Sequence, residues 1–448
     1  MPYQISSFCI ALLLAAPLLV GCALDSRTSN FEPAPEVGQG GALGGGGSAG
    51  EGSQGEPAAV GGSGPQSGPG AGSPEAPGRA ATPARPSDCA SAEPLPDTID
   101  EDRTIGPGCV RIRRTTVISE ATLTVLPGTT VLMEAAAYLD ADAQLVAIGT
   151  ADQPIVFTSS SAAPLPGDWQ CVRVGQNASN SQLEHVIFEY GGQPCGATGA
   201  GNATTLDVAA PLRGIRDVTV RDSLNHGIML SSSAAVRAFS NNHFARNGDA
   251  SIQLDAAQIL QLGTGNSFED ADDYIEVVAG STLSSNGTWL NQGVPFRVQS
   301  MVVAPGLDVT VAAGVRVEML GGTIDAFNAN FNLEGTEAEP VVFTSAQKNP
   351  KPGDWGCLSY SYTSVTPHID HAIFEYAGSG SGCLGSSTKA ALVAPNSSNV
   401  TNTIFRYIDG VGISARDNCN VNDWCQNQFV EVALGPFECE GTFMPCPD

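Results

Sequence analysis

Pro154-Ile155-Val156-Phe157-Thr158-Ser159-Ser160 is followed by Pro166-Gly167-Asp168-Trp169-Gln170-Cys171 and by His185-Val186-Ile187-Phe188-Glu189-Tyr190-Gly191-Gly192, and all three segments occur twice. They return as Pro340-Val341-Val342-Phe343-Thr344-Ser345-Ala346, Pro352-Gly353-Asp354-Trp355-Gly356-Cys357 and His371-Ala372-Ile373-Phe374-Glu375-Tyr376-Ala377-Gly378. The offset is 186 each time (340 − 154, 352 − 166, 371 − 185), so a whole block is duplicated without internal slippage. Further out, residues 123–133 read as strand, tight turn, strand around Pro127-Gly128, and they recur at the same offset as residues 309–319.

From about residue 110 onward, short alternating runs of Val, Ile, Leu, Phe and Thr are broken by Gly, Pro, Asn or Asp, a pattern of strands and turns. The Ala-rich piece at 134–143 is the one helix candidate. Between the duplicated segments a shorter period emerges. Asn242-His243-Phe244 returns as Asn266-Ser267-Phe268 at an offset of 24 (266 − 242), and Ile252-Gln253-Leu254 returns as Ile275-Glu276-Val277 at an offset of 23 (275 − 252). A period in the low twenties made only of strands means coils stacked into a solenoid, with Phe above Phe and Asn capping the turns. At about 23 residues per coil the offset spans roughly eight coils, or about 38 Å at ~4.8 Å between hydrogen-bonded strands.

These features resemble the right-handed parallel β-helix, pectate-lyase-like family over about 110–430. The resemblance is carried by Leu123-x-Val125-x-x-Gly128-x-x-Val131, by Gly149-Thr150-x-x-x-Pro154-Ile155-x-Phe157-Thr158-Ser159, by the Gly167-Asp168-Trp169 turn, and by their repeats. It implies an all-β protein: a single-stranded right-handed parallel β-helix solenoid over 111–418, with duplicated blocks at about 111–230 and 297–416. The family contains polysaccharide lyases, hydrolases, epimerases, adhesins and envelope lipoproteins, and fold alone does not choose among them. Open coil ends expose unpaired strand edges, so the cysteine-bounded segments 89–110 and 419–448 are expected to be caps.

The apolar run Ile10 to Val20 ends in Leu19-Val20-Gly21-Cys22, which resembles the lipobox of bacterial lipoproteins. That implies a signal peptide over 1–21 and an acylated Cys22. Ala23, which is not Asp, points to the outer membrane, facing periplasm or cell surface. No Lys or Arg precedes the run, and an ordinary secretory signal is the alternative. Residues 22–88 are rich in Gly, Pro, Ser and Ala and cannot offset chain entropy by burial, so a disordered tether of about 45 Å r.m.s. span is expected.

Of the 12 cysteines, Cys9 leaves with the signal and Cys22 carries lipid. The even remainder in an exported chain suggests disulfides between sequence neighbours: Cys89/Cys109, Cys171/Cys195, Cys357/Cys383, Cys419/Cys425 and Cys439/Cys446. A zinc site built from the last four is the alternative; no metal or other cofactor is expected.

A net charge of −26, with only Lys348, Lys351 and Lys389 as lysines, excludes nucleic acid as a partner. It also repels polyanionic polysaccharides unless divalent cations bridge them. In a strand over 185–190, Val186, Phe188 and Tyr190 point inward and His185, Ile187 and Glu189 outward. His185 and Glu189 are then about 13 Å apart, too far to work as a couple, since glycosidase carboxyl pairs stand about 5–9.5 Å apart. With His371 and Glu375 they suit a surface or coil-to-coil hydrogen bond. Asp168-Trp169 and Asp354-Trp355 read as structural turns, with sugar stacking by Trp the alternative. Asp270-Ala271-Asp272-Asp273 reads as a solvated turn, with calcium binding the alternative. A β-helix lyase needs an Arg or Lys base near acidic calcium ligands; Arg213, Arg216 and Arg221 can lie along one coil, but the sequence places no acidic cluster beside them. Pectin hydrolases of this fold carry Asp-Asp, then His-Gly, then R-I-K; here Asp272-Asp273 follows His226-Gly227 and R-I-K is missing. No catalytic residue is assigned. The expected protein is a monomeric, membrane-anchored envelope lipoprotein whose non-catalytic β-helix serves adhesion, glycan contact or scaffolding toward a polysaccharide or envelope protein. A polysaccharide lyase or glycoside hydrolase is the rival.

Overall fold

The computed structural model describes residues 89–446 except 90, 119, 197–200, 362–364, 381–382, 384–388, 396–397 and 416–420. Cys22, the signal, the tether and Cys419 lie outside the described residues.

Short β-branched runs between turn residues cannot bury both faces alone, so they stack: strand pairs run parallel from coil to coil, and the chain winds as a parallel β-helix. The one antiparallel pair of named strands is the last, Gly435–Cys439 with Thr442–Met444. Two long strands, Gly108–Val117 and Thr129–Ala141, start two ladders of the largest sheet, separated by a register shift between Ile112 and Arg114. The first ladder continues through Ile155–Ser159, Val186–Glu189, Thr219–Arg221, His243–Ala245 and Ser267–Phe268. The second continues through Val172–Val174, Thr204–Val208, His226–Leu230, Ile252–Leu254 and Ile275–Val277. It then carries on alone through Phe296–Val298, Arg316–Met319, Val341–Ser345, Ala372–Glu375, Ile404–Ile408 and Gln428–Val432. A six-stranded sheet from Arg103–Ile105 to Phe239–Ser240 forms another face of the first half, and five- and eight-stranded sheets complete the second.

Side chains on alternate strand positions point into the coil and fill one continuous apolar core. In the second ladder they form a column of Val172, Leu206, Ile228, Ile252, Ile275, Phe296, Val317, Phe343, Phe374, Phe405 and Phe429. Phe343, Phe374, Phe405 and Phe429 stack at centroid spacings of 5.3, 5.2 and 5.2 Å. In the first half the aromatic column sits on the first ladder instead, with Phe157 on Phe188 at 4.9 Å and Phe244 on Phe268 at 5.1 Å. Each stacked pair contributes about 0.5–1.5 kcal/mol beyond the area it buries. The asparagine column is present as well: Asn266 Oδ1 accepts from Asn242 Nδ2 at 3.1 Å, and Asn266 Nδ2 donates to Gln292 Oε1 at 3.0 Å.

Several expectations need correction. The uniform coil length holds only for the middle, where Ile252, Ile275 and Phe296 succeed one another at steps of 23 (275 − 252) and 21 (296 − 275). In the duplicated blocks the step is 31, from Phe157 to Phe188 and from Phe343 to Phe374, because longer turns are spliced between the strands. Seven second-ladder steps lead from Val172 to Phe343, a span of 171 residues (343 − 172). The duplicates do not stand over each other, since Ile155–Ser159 lies on the first ladder and its copy Val341–Ser345 on the second.

The cap boundaries also shift. Thr98–Ile99 and Arg103–Ile105 already pair in register with the coil above, and Gln428–Val432 and Gly435–Cys439 continue the coil beyond 418. The helix candidate at 134–143 is largely strand, because Thr129–Ala141 pairs with the coils on both sides of it. The 3-10 helix Ala256–Gln261, capped by Asp255, and the four-residue helix Val421–Trp424 were not foreseen. Among the described residues, no helix is long and apolar enough to cross a membrane.

Cys89–Cys109, Cys171–Cys195 and Cys357–Cys383 are bonded as expected. Cys425 is bonded to Cys446, with Cα atoms 5.5 Å apart, which overturns the Cys419/Cys425 and Cys439/Cys446 pairs: the last coil brings residues 425 and 446 together across the terminal hairpin. Cys439 is in a disulfide too.

Candidate functional site

The outward positions of the second ladder form one column: Asp140, Arg173, Asp207, Met229, Gln253, Glu276, Arg297, Glu318, Thr344, Glu375 and Arg406. Stacked coils put like positions about 4.8 Å apart, where equal charges repel and opposite charges attract. Accordingly no two like charges are neighbours in the column, where neutral Met229, Gln253 and Thr344 separate runs of alternating sign. Arg173 stands between Asp140 and Asp207 at 3.5 and 3.7 Å. Gln253 Nε2 donates to Glu276 at 3.0 Å, and Glu318 receives both Arg297 and Arg316 at 3.2 Å. Glu375 is paired with Arg406. Burial pushes the Asp140 and Asp207 carboxyls above their ordinary range, with Arg173 pulling the other way.

A lateral groove lies against this column, made by a cavity that contains Arg297, Glu318, Thr344 and Glu375 of it and by a second cavity that shares Asp272 with the first. One, of about 650 Å³, is lined by Asp272, Arg297, Arg316, Glu318, Thr344, Lys348, Glu375 and Tyr376 among others. The other, of about 260 Å³, is lined by Asn247, Asp249, Asp270, Asp272, Asp273 and Tyr274. The Arg297 guanidinium lies 3.7 Å above the Tyr274 ring, a cation–π contact that holds the arginine head at the groove wall. The Tyr274 hydroxyl donates to Asp249, and burial followed by that carboxylate pushes its pKa up to about 12, so the phenol keeps its proton. His226 points at the same region, with Nε2 4.0 Å from Asp249 and 3.8 Å from Glu276.

The acidic turn is only partly solvated. Asp272 is exposed, whereas Asp273 is buried, accepts from Ser251 N at 3.2 Å and from Tyr274 N at 2.7 Å, and is pushed up in pKa by burial. Arg213, Arg216 and Arg221 do share a coil, but Arg216 pairs with Glu184 at 3.7 Å in the six-stranded sheet and Arg221 with Glu189 at 2.8 Å on the first ladder.

Val186 and Phe188 are fully buried as expected, but Tyr190 is half-buried, because the strand ends at Glu189 and Tyr190 turns away at φ 68°. Glu189 is the larger surprise. It points out of the coil yet is only 2% exposed, accepting from Thr158 Oγ1 at 2.7 Å as well as from Arg221. The coil-to-coil bond expected of it is therefore an ion pair, repeated as Glu375–Arg406.

The Asp-Trp turns are structural in both blocks. Asp168 accepts from Leu165 N at 3.1 Å and Asp354 from Lys351 N at 2.9 Å. Trp169 and Trp355, fully buried, donate to the carbonyls of Glu189 and Glu375 at 2.9 and 2.7 Å, so neither indole can stack on a sugar. His371 borders a polar cavity of about 480 Å³ with Asn402, Gln426 and Gln428.

Sequence reasoning missed Tyr274, Arg297, Arg316 and Lys348. The available signal was the equal spacing of Glu276, Arg297 and Glu318 (297 − 276 and 318 − 297, both 21), which marks one outward column.

Residues 111–204 and 282–366 match a family model described as a pectate-lyase like beta helix domain. No curated protein and no solved structure matches the chain significantly.

Proposed function

We propose that the chain, two stretches of which match the pectate-lyase-like β-helix model, a fold that hosts both enzymes and binding proteins, is a cell-envelope lipoprotein whose β-helix contacts a polysaccharide without cleaving it. In this reading Cys22 carries the lipid anchor in a bacterial outer membrane, and the lateral groove is the glycan-contact face. The carrying observation is that the two glutamates lining the larger cavity are already paired with arginines: Arg297 and Arg316 hold Glu318, and Arg406 holds Glu375. Such pairs form a rigid array of donors and acceptors for hydroxyl groups, while an acid–base couple needs carboxyls free to exchange protons. Tyr376, half-buried at the groove edge, offers a ring for sugar stacking. Charge favours a neutral glycan over a polyanion, given the net −26.

The rival reading, a lyase or hydrolase, draws on the same groove, where Arg297, Arg316 and Lys348 stand near the exposed Asp272. Incubation of purified 89–448 with a polysaccharide panel separates the two. Retention in affinity electrophoresis, weakened about tenfold by Arg297→Ala or Tyr376→Ala and without new reducing ends or unsaturated products, is expected. Measurable turnover overturns the proposal. The anchor is tested on the full chain: Cys22→Ala should leave the membrane fraction, and a variant that stays there refutes lipidation at Cys22.

A further inference from the structure

The chain enters Val186–Glu189 through a turn at His185 and enters Ala372–Glu375 through a turn at His371, and the two turns are backbone copies. His185 and His371 have φ of 49° and 48°. Their N–H groups donate to the carbonyls of Arg216 and Thr401 at 3.2 and 3.3 Å, and their carbonyls accept from Ile155 N and Val341 N at 3.1 Å. The residue that follows each N–H acceptor on the next coil is Asp217 in one block and Asn402 in the other, with φ of 52° and 48°.

The side chains differ at the place that matters. At the second turn the polar groups satisfy one another: Asn402 Nδ2 and Thr401 Oγ1 donate to Asp370 Oδ1 at 2.8 and 2.7 Å, and His371 Nδ1 lies 2.8 Å from Asp370 Oδ2. At the first turn Glu184 replaces Asp370, and Asp217 replaces Asn402, so the amide donor has become a second carboxylate. Glu184 Oε2 accepts from Gln182 Nε2 at 3.1 Å and lies 3.7 Å from Arg216. Among the described residues, the His185 ring and the Asp217 carboxylate have no hydrogen-bond partner. One ligand atom from each of Glu184, His185 and Asp217 falls within 4.8 Å of the others, all three half-buried.

We propose that this turn binds one divalent first-row transition ion, with Zn²⁺ as the probe, through the His185 imidazole and the carboxylates of Asp217 and Glu184. The cation occupies the role that the Asn402 amide hydrogens fill in the other block, joining the Asp217 carboxylate and the His185 ring to Glu184. An imidazole in the set favours zinc and its neighbours over calcium, which takes six to eight oxygen ligands. Metal–ligand bonds of about 2.0–2.2 Å require the three donors to draw together, a rotamer adjustment open to half-buried side chains. Water completes the coordination, and Gln182 orients Glu184 from behind.

The test uses the full chain, purified in detergent without a polyhistidine tag, dialysed against Zn²⁺ and assayed by atomic emission and titration calorimetry. One zinc per chain is expected. Asp217→Asn, which gives the first turn the residue of the second, should weaken binding at least tenfold while circular dichroism and the thermal transition stay unchanged. His185→Gln should do the same by removing the imidazole. A wild-type chain that retains no zinc overturns the proposal. So does zinc that stays bound with undiminished affinity in both variants, because it then sits elsewhere.

Discussion

The triplet Thr158–Glu189–Arg221 and its copy Thr344–Glu375–Arg406 build the same coil-to-coil ion pair in different surroundings. On the first ladder the pair is sealed, with the Arg221 and Glu189 side chains 6% and 3% exposed. On the second ladder the corresponding values are 40% and 10%. Local sequence chooses the neighbour a side chain meets in the next coil. The stack in between decides the face on which the meeting occurs, and with it the dielectric surroundings. A duplicated motif therefore need not carry a duplicated energy.

The largest expected effect tests that directly. Glu189→Ala takes the nearer carboxylate from the buried Arg221 guanidinium, leaving Asp222 at 3.9 Å, and should cost about 3 kcal/mol. Glu375→Ala should cost about 1 kcal/mol or less, because Arg406 reaches water. Urea unfolding of the two variants measures both, and equal losses would break the comparison. A smaller difference is expected in the aromatic columns. Phe374 is stacked on both sides, by Phe343 and Phe405, whereas Phe188 has Phe157 on one side and Val220 on the other. Phe374→Leu should exceed Phe188→Leu by about 0.5–1.5 kcal/mol, one ring pair's worth, in the same assay.

The smallest effect is in pH dependence, and its sign differs between the blocks. Burial raises Asp140 and Asp207 of the first block, so their contribution to stability is full below the ordinary carboxyl pKa of 3.8 and is lost as pH rises through their folded values. Asp370 of the second block goes the other way. Burial acts to raise it, but the hydrogen bonds from Thr401, Asn402 and His371 together hold it below 3.8. Its contribution is present above 3.8 and is lost as pH falls through its folded value. Carboxyl NMR titrations should give midpoints above 3.8 for Asp207 and below it for Asp370; midpoints on the same side would contradict the assignment.

Much of this was legible in the sequence. The invariant offset of 186, the Phe and Asn spacings and the Pro-Gly-Asp-Trp turns state a stacked solenoid, its columns and its structural tryptophans, because each depends only on period-2 alternation and on like positions meeting. The change of ladder was not legible. An offset counts positions along the chain, while the face reached depends on how many corners the chain turns, and the step between coils shortens from 31 at Phe157 (188 − 157) to 21 at Phe296 (317 − 296). The groove was hidden for the same reason: Tyr274, Arg297 and Lys348 meet only once the register of three coils is known. Glu189 was read as outward from alternation, correctly, but alternation does not say whether outward means wet. The Cys425–Cys446 bond followed a terminal hairpin that no periodic signal announced.

The column Glu276–Arg297–Glu318 has a consequence for how such a chain can change length. Deleting the single coil that bears Arg297 would set Glu276 directly against Glu318, two anions on adjacent rungs with no cation between them. Deleting that coil together with the next would set Glu276 against Thr344, which is neutral. The Arg297 rung is thus the one this stretch cannot lose alone without repulsion, since loss of the Glu318 rung would set Arg297 against neutral Thr344 and loss of the Glu276 rung would set Gln253 against Arg297.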